Sequence, residues 1–313
     1  MRKTWVLLLL GLGLLLAACG GQADEDVSVV IQPGSSLRSA ATALEEAGAV
    51  GSASGFLNYA RVFGSDEPIK PGEYAIKKGM SEGEILSLLQ EGKTLQRFVT
   101  VTPGMPSIMV YERLQAAPFL TGDVDVPAEG SVLPDSYAYT RGEKRSAVLE
   151  RMQRAMTRTL AKLWAERSAA TVVNSPQDAI ILAGIVEKET GKASERRTVA
   201  GVYSNRLKTG MRLQADPTVI YPVTKGKPLG RRILRSELQA DNGYNTYARA
   251  GLPAGPITNP GKEAIAAVLN PAPTRYVYFV ADGTGGHVFA ETLAEHNANV
   301  EKWYAIRKSR GEM

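Results

Sequence analysis

The chain has 313 residues, 44% of them hydrophobic and 22% charged, enough to bury a sizeable core and, by length, to form about two domains. That balance excludes wholesale disorder. The formal net charge is +5, falling by two to +3 without Arg2 and Lys3, and no basic run is interleaved with aromatics, so no nucleic-acid partner is expected.

The N-terminus is the first informative segment. Arg2 and Lys3 precede the apolar stretch Thr4 to Leu16, and Leu16-Ala17-Ala18-Cys19 follows. This is the order of a secretory signal: charged start, apolar centre, small-residue cleavage site. The apolar stretch is shorter than the ~20 residues a spanning helix needs. Cys19 is the only cysteine and stands where a bacterial lipoprotein signal places its acylated residue, so no intrachain disulfide forms. The alternative is an uncleaved anchor helix with an incidental cysteine. Residues 1–18 are therefore predicted to be a lipoprotein signal peptide and Cys19 the lipidation site. Residues 19–26, with Gly20-Gly21-Gln22 and Asp24-Glu25-Asp26, are predicted to be a flexible tether. The expected location is the extracytoplasmic face of the cell membrane, held there by lipid.

Residues 27–95 have the pattern of a small module. Val27-Ser28-Val29-Val30-Ile31 predicts a strand, and Pro33-Gly34-Ser35-Ser36 a turn ending in a helix cap. Leu37 to Ala47 carries Leu37, Ala40, Ala41 and Leu44 at helical spacing, and a second helix is predicted over Ser54 to Phe63. Lys70-Pro71-Gly72-Glu73-Tyr74-Ala75-Ile76 predicts a turn and a short strand. A third helix is expected with Ser81 as cap, Ile85, Leu86, Leu88 and Leu89 inward, and Gly92 as its stop. This strand–helix–helix–strand–helix unit resembles a LysM module, a class that binds glycan chains containing N-acetylglucosamine. A spacer or packing platform would have the same pattern.

Residues 96–173 are expected to link this module to the C-terminal region. Phe98-Val99-Thr100-Val101 predicts a strand, stopped by Thr102-Pro103-Gly104, and Leu133-Pro134-Asp135-Ser136-Tyr137 an exposed turn leading into an extended segment. Ser146 to Ala169 predicts one long helix with Val148, Met152, Met156, Leu160 and Leu163 on one stripe. Its periodicity fits a connecting helix and a packing helix alike.

The chemistry is concentrated in residues 174–313. Asn174 or Ser175 caps a helix with Pro176 in its first turn and Asp178 complementing the dipole. Ala179 to Val186 is apolar on all sides, which predicts a buried helix, and Gly191 is expected to end it. Glu189 lies seven residues after Leu182 and three after Val186, so it continues an apolar stripe. Against an apolar wall the charged carboxylate is disfavoured, which keeps the group protonated as an acid. Glu187 is a rival for the same role, and a solvated helix end would explain both glutamates.

Resemblance separates them. Ile185-Val186-Glu187-Lys188-Glu189-Thr190, Ala193-Ser194-Glu195-Arg196, Asn205-Arg206-Leu207 and Met211-Arg212-Leu213-Gln214-Ala215-Asp216-Pro217-Thr218-Val219 occur in order. Tyr244-Asn245-Thr246-Tyr247, Pro256-Ile257-Thr258-Asn259-Pro260-Gly261, Tyr276-Val277-Tyr278-Phe279-Val280, Gly285-Gly286-His287-Val288-Phe289 and Glu295-His296-Asn297 follow. Together they resemble the endolytic murein transglycosylase family over the last ~140 residues. The resemblance implies that Glu189 is the catalytic acid of a lytic transglycosylase, a carbon–oxygen lyase of cell-wall biogenesis that cuts peptidoglycan strands internally. One carboxyl group would protonate the leaving oxygen of the N-acetylmuramyl bond. It would then accept the proton of the same sugar's C6 hydroxyl as that oxygen attacks the anomeric carbon, leaving a 1,6-anhydro end. A hydrolase ordinarily needs a second carboxylate. Glu187, about 200° round the helix, points elsewhere, but Asp216 keeps a muramidase-type hydrolase open, as is a non-catalytic wall-binding lipoprotein.

Gln214, Asp216, Thr218, Tyr244, Asn245 and Tyr247 offer donors, acceptors and an aromatic face, and are the expected substrate-binding residues. The only histidines, His287 and His296, lack the spacing of zinc ligands, so no metal and no cofactor is expected. The implied partners are peptidoglycan glycan strands, the membrane through the lipid anchor, and a strand-elongating peptidoglycan synthase. The expected fold class is α+β: a small LysM-like N-terminal module followed by a mixed α/β catalytic domain. Three features depart from the family pattern: a lipobox in place of an uncleaved membrane helix, Ala254 in place of a second proline, and a weaker match at Thr102-Pro103-Gly104-Met105-Pro106.

Overall fold

The computed structural model describes residues 23–312. The predicted signal peptide and Cys19 lie outside the described residues. Two compact units divide the chain, the first ending at Arg97 and the second beginning at Phe98.

In the first unit the elements run β1 (Val27–Ile31), α1 (Leu37–Glu46), α2 (Ala53–Phe63), β2 (Gly72–Ile76) and α3 (Glu82–Glu91). β1 and β2 are antiparallel, with Val29 opposite Tyr74 and Val27 opposite Ile76. Every helix starts on a serine, Ser36, Ser52 or Ser81, whose hydroxyl accepts a backbone N–H of the first turn. Gly92 closes α3 in the left-handed conformation, at φ 73. Val29, Ile31, Leu44, Phe56, Tyr74, Ile76, Ile85 and Leu89 form the core between strands and helices. The buried Glu73 carboxylate is satisfied by a two-pronged contact from Arg97, each bond 3.0 Å, and by the Ser28 hydroxyl. Residues 23–26, expected to belong to a flexible tether, are held against the first unit. Ala23 is buried and bonds the backbone at Met80 and Gly79, and Asp26 accepts from Lys77 Nζ and Lys78 N at 2.8 Å each.

In the second unit β3 (Arg97–Thr100) pairs with β4 (Ser136–Tyr139), and α4 (Ser107–Ala116) precedes the long α5 (Arg145–Ala165). The unanticipated α4 begins at Pro106 with no side-chain cap, so it carries no start signal beyond that proline. α5 is four residues shorter at its end than predicted, but buries the expected Val148, Met152 and Met156. Its first half packs into a cluster with Val99, Val101, Val110 and Leu114. Its second half, through Met156, Leu160 and Leu163, packs into the main core. The stretch expected to link two domains is thus built into the second one.

The main core is helical. It is made by α6 (Pro176–Glu189), α7 (Arg196–Lys208) and α10 (Lys262–Leu269), with α8 (Asp216–Thr224), α9 (Arg235–Gln239), the hairpin β5 (Tyr278–Ala281)–β6 (His287–Ala290) and α11 (Leu293–Ser309) around them. Ser175 caps α6, Pro176 opens it, and every residue from Ala179 to Val186 is buried. Each large aliphatic among them contributes roughly 1.5–3 kcal/mol by leaving water, so a charge at Leu182 would break the domain. Gly201 lets α7 approach residues 272–274: a Cβ there would stand 2.7 Å from the Ala272 carbonyl oxygen. The expected glycine stop of α6 is not what ends it. Thr190 turns extended (φ −140), and Gly191 lacks the left-handed backbone of a terminating glycine. The described residues thus make an α+β fold of eleven α-helices and three two-stranded sheets.

Candidate active site

Glu189 is the last residue of α6, where the buried helix meets the surface. It is partly buried in a cleft of about 310 Å³ whose other walls come from α7 (Tyr203, Arg206), the start of α8 (Gln214, Asp216), Tyr247, β5 (Phe279) and α11 (His296). Burial, and then the negative charge of Asp216, push its carboxyl up to about 7, against a hydrogen bond from the Tyr203 hydroxyl and the charge of Arg206. A carboxyl group poised there both gives and takes a proton near neutrality.

Tyr203 and Arg206 stand one turn apart on α7, on one face. Tyr203 is fully buried, and its hydroxyl is held far above its usual range by burial and by Glu189. Arg206 is locked in place. Its Nε donates to the Val277 carbonyl at 2.7 Å, its Nη1 to the Leu213 carbonyl at 2.6 Å, and the guanidinium lies 5.6 Å from the Tyr278 ring centre. His296 stacks on Tyr278 at 5.1 Å, and burial followed by the Arg206 charge lowers its pKa, which favours the neutral ring.

The residues expected to bind substrate divide into two groups. Gln214, Asp216 and Tyr247 line the cleft. Gln214 is held in the left-handed region at φ 51, a conformation costing about 1–2 kcal/mol for a residue with a side chain. Asp216 opens α8, where the helix dipole favours its charge, and accepts a 2.6 Å hydrogen bond from the Tyr247 hydroxyl.

Thr218, Asn245 and Tyr244 stand behind the cleft and hold its wall. The buried Thr218 hydroxyl donates to the Ala215 carbonyl at 2.6 Å and meets the Thr246 hydroxyl at 2.9 Å, which in turn accepts from Ala215 N. Gln214 N donates to the Thr246 carbonyl. The strained Gln214-Ala215-Asp216 segment is therefore clamped by Thr218 and Thr246. Asn245 is buried, its amide donating to the carbonyls around Ala240 and its oxygen accepting from Tyr247 N. Tyr244 packs on Tyr221, ring centres 5.0 Å apart. None of the three lines the cleft itself, and the polar atoms of Thr218 and Asn245 are engaged by the surrounding backbone and by Thr246.

Four cleft residues, Tyr203, Arg206, Phe279 and His296, were not among the expected site residues. Arg206 and His296 carried a usable signal: a cation on an otherwise apolar helix face, and one of only two histidines. Glu187, the rival acid, is outside the cleft. Its Oε2 accepts from Gly261 N at 2.8 Å and Arg196 lies 3.9 Å away, so it secures the loop before α10. His287 is paired with Glu195 at 2.8 Å, and among the described residues no cluster of three or more metal-ligand side chains occurs.

A helical domain with a part-buried, proton-poised carboxyl group at a helix end, facing a cleft of polar and aromatic side chains, defines a class of acid–base enzyme working on a polar polymer or small molecule. The profile of the YceG-like family matches residues 29–302, and the chain belongs to that family. It is similar to the endolytic murein transglycosylase of Bacillus subtilis (strain 168), 28% identical over 91% of this chain and 86% of that protein. It is also similar to the endolytic murein transglycosylase of Streptococcus pneumoniae serotype 2, 29% identical over 88% of this chain but only 58% of that longer protein. A crystal structure of a yceG-like protein from Listeria monocytogenes superposes with a TM-score of 0.56 at 27% identity, covering 88% of this chain and 98% of that one.

Proposed function

We propose that this chain is an endolytic lytic transglycosylase that cuts peptidoglycan glycan strands between N-acetylmuramic acid and N-acetylglucosamine, with Glu189 as its acid and base. The observation that carries this reading is the Glu189 carboxyl, pushed up to about 7 in an open cleft. Protonated Glu189 gives its proton to the leaving glycosidic oxygen. As carboxylate it then takes the proton of the muramyl C6 hydroxyl, whose oxygen closes the 1,6-anhydro ring, and the enzyme returns to its starting state. Tyr203 steadies the carboxylate form, while Tyr247 and Phe279 offer faces for sugar rings. Mass spectrometry of digested sacculi tests this. Glu189→Gln should lower anhydro-muramyl product by at least about 10²-fold, the lower bound for general acid–base catalysis. Glu187→Gln should retain activity; the reverse pattern would move the acid to Glu187.

One observation favours a second reading. Asp216 shares the cleft with Glu189, and a carboxylate there is able to activate water, giving reducing ends instead of anhydro ends. The same mass spectra separate the two, since an anhydro end is lighter by one water. The strand–helix–helix–strand topology supports a LysM-like, glycan-binding reading of the first unit. The lipobox at Cys19 supports lipid anchoring on the outer face of the cell membrane, and the family resemblance supports coupling to a peptidoglycan synthase whose nascent strand this activity would cut, ending its elongation.

A further inference from the structure

A second cavity, about 350 Å³, also has Glu189 and Asp216 in its lining. The two cavities share those carboxylates but differ in lining. The first presents aromatic rings, Tyr203, Tyr247 and Phe279. The second has no aromatic residue. Its wall is aliphatic, with Ile220, Leu229 and Ile257, and two lysines, Lys188 and Lys227, border it. Sugar rings are recognised by aromatic faces and dense hydrogen bonding, so an aliphatic wall rimmed by ammonium groups suits another chemistry.

The rim is shaped by a left-handed turn in which Lys225, but not Gly226, stands in a conformation unfavourable for its residue type. Lys225 (φ 58) and Gly226 (φ 83) are consecutive left-handed residues at the end of α8, turning the chain so that Lys227 comes back to the cavity. A Cβ on Gly226 would sit 2.8 Å from the Pro106 side chain. Such strain persists where surrounding structure imposes it, and it clusters at ligand sites. Lys227 is paired with Glu112, whereas Lys188, exposed at the other edge, has no ion-pair partner among the described residues.

We propose that this second cavity binds the peptide carried on the lactyl group of the muramyl sugar, a short chain of small apolar residues and free carboxylates. The inference rests on the transglycosylase reading. A substituent branching from a sugar held at Glu189 enters the second cavity directly, because the same two carboxylates border both spaces. Its alanine-like side chains lie on Ile220, Leu229 and Ile257, and its carboxylates reach Lys188 and Lys227. The enzyme would then favour strands that still carry their peptides over strands from which an amidase has removed them.

The test uses the full chain on uncrosslinked glycan strands, peptide-bearing or amidase-stripped, and reads the ratio of kcat/KM between the two polymers. The wild type should favour peptide-bearing strands by about fivefold or more. Lys188→Gln/Lys227→Gln should cut that ratio by roughly two- to fivefold, the range for exposed charge pairs, and Lys188→Gln alone should shift it less in the same sense. Added salt should shrink the wild-type ratio as it screens the lysines. Equal cutting of both polymers by the wild type, preference for stripped strands, or a ratio unchanged in the double variant would overturn the peptide subsite while leaving the transglycosylase reading intact. A wild type that cuts neither polymer would defeat that reading and this one with it.

Discussion

Glu189 carries two opposing demands, and both are measurable. Its neighbours act on it in opposite directions: the Asp216 charge raises its pKa, and the Tyr203 hydroxyl, by donating to the carboxylate, lowers it. As general acid the group must be protonated in the free enzyme, so kcat/KM should hold below about pH 7 and fall above it. Asp216→Asn removes the negative neighbour and should move that falling limb to lower pH. Tyr203→Phe removes the donated bond and should move it higher. Limbs that stay fixed, or move together, would mean that the limb belongs to another group. Stability should follow the same carboxyl. Below about pH 4 it is protonated in folded and unfolded chains alike and contributes nothing. Between its ordinary 4.5 and about 7 the unfolded chain releases the proton first, so the folded state loses stability as pH rises, and above about 7 the loss is constant. At about 1.4 kcal/mol per pH unit the upper bound is roughly 3 kcal/mol, and partial exposure reduces it to about 1–2 kcal/mol. Glu189→Gln should therefore melt higher than wild type at pH 8, by about 2–4 °C per kcal/mol in a domain this size, with the difference vanishing near pH 4. A constant difference across that range would show that Glu189 is not the strained group.

Elements explain which parts of the site were legible in the sequence. The pair Glu187 and Glu189 stood out because α6 is apolar on every side for two turns and then abruptly acidic, and it was the family resemblance that chose Glu189 between them. Gln214, Asp216 and Tyr247 were legible as motif residues, but the same motifs contain Tyr244, which does not line the cleft, and Thr218 and Asn245, whose polar atoms turn inward. Alternation within a short, irregular segment does not reveal which side faces the cleft, since Gln214 sits in a left-handed kink that resets the periodicity. Tyr203 and Phe279 were hidden for a different reason. An aromatic at an apolar position of a helix or strand reads as core, and Tyr203 is a core residue while Phe279 packs against the core, each reaching the cleft. α4, begun by a proline without a side-chain cap, offered no start signal beyond that proline. The clamp behind the cleft gives a prediction at this scale. Thr218→Val keeps shape but removes the hydroxyl between Ala215 and Thr246, leaving buried polar groups unpaired at about 1–3 kcal/mol. Because the clamp holds Asp216 and strained Gln214, thermal stability and turnover should fall together. A loss of stability with wild-type turnover would mean that the Gln214–Asp216 segment holds its shape without the clamp.

The whole molecule combines two units with separate cores, and its N-terminal attachments are proposed to be two: acyl chains at Cys19 and glycan contacts of residues 27–95. Lipid anchoring needs more than one acyl chain to be stable, and a second contact to the wall would raise the effective concentration of the cleft at its polymer. The two contributions separate experimentally because they lie on different segments. Cys19→Ala should move the protein from the membrane to the soluble fraction without changing how it sediments with purified sacculi. A chain beginning at Phe98 keeps the clusters around α5 and α6 whole, since neither draws a residue from the first unit. It should still make anhydro ends from soluble strands, while its affinity for sacculi drops by at least about tenfold, a small part of what linked binding modules commonly gain. Sacculus binding that survives the truncation would reduce the first unit to a spacer, whatever its topology resembles. Loss of cleavage on soluble strands, with the fold intact by circular dichroism, would instead assign residues 27–95 a part in the reaction itself.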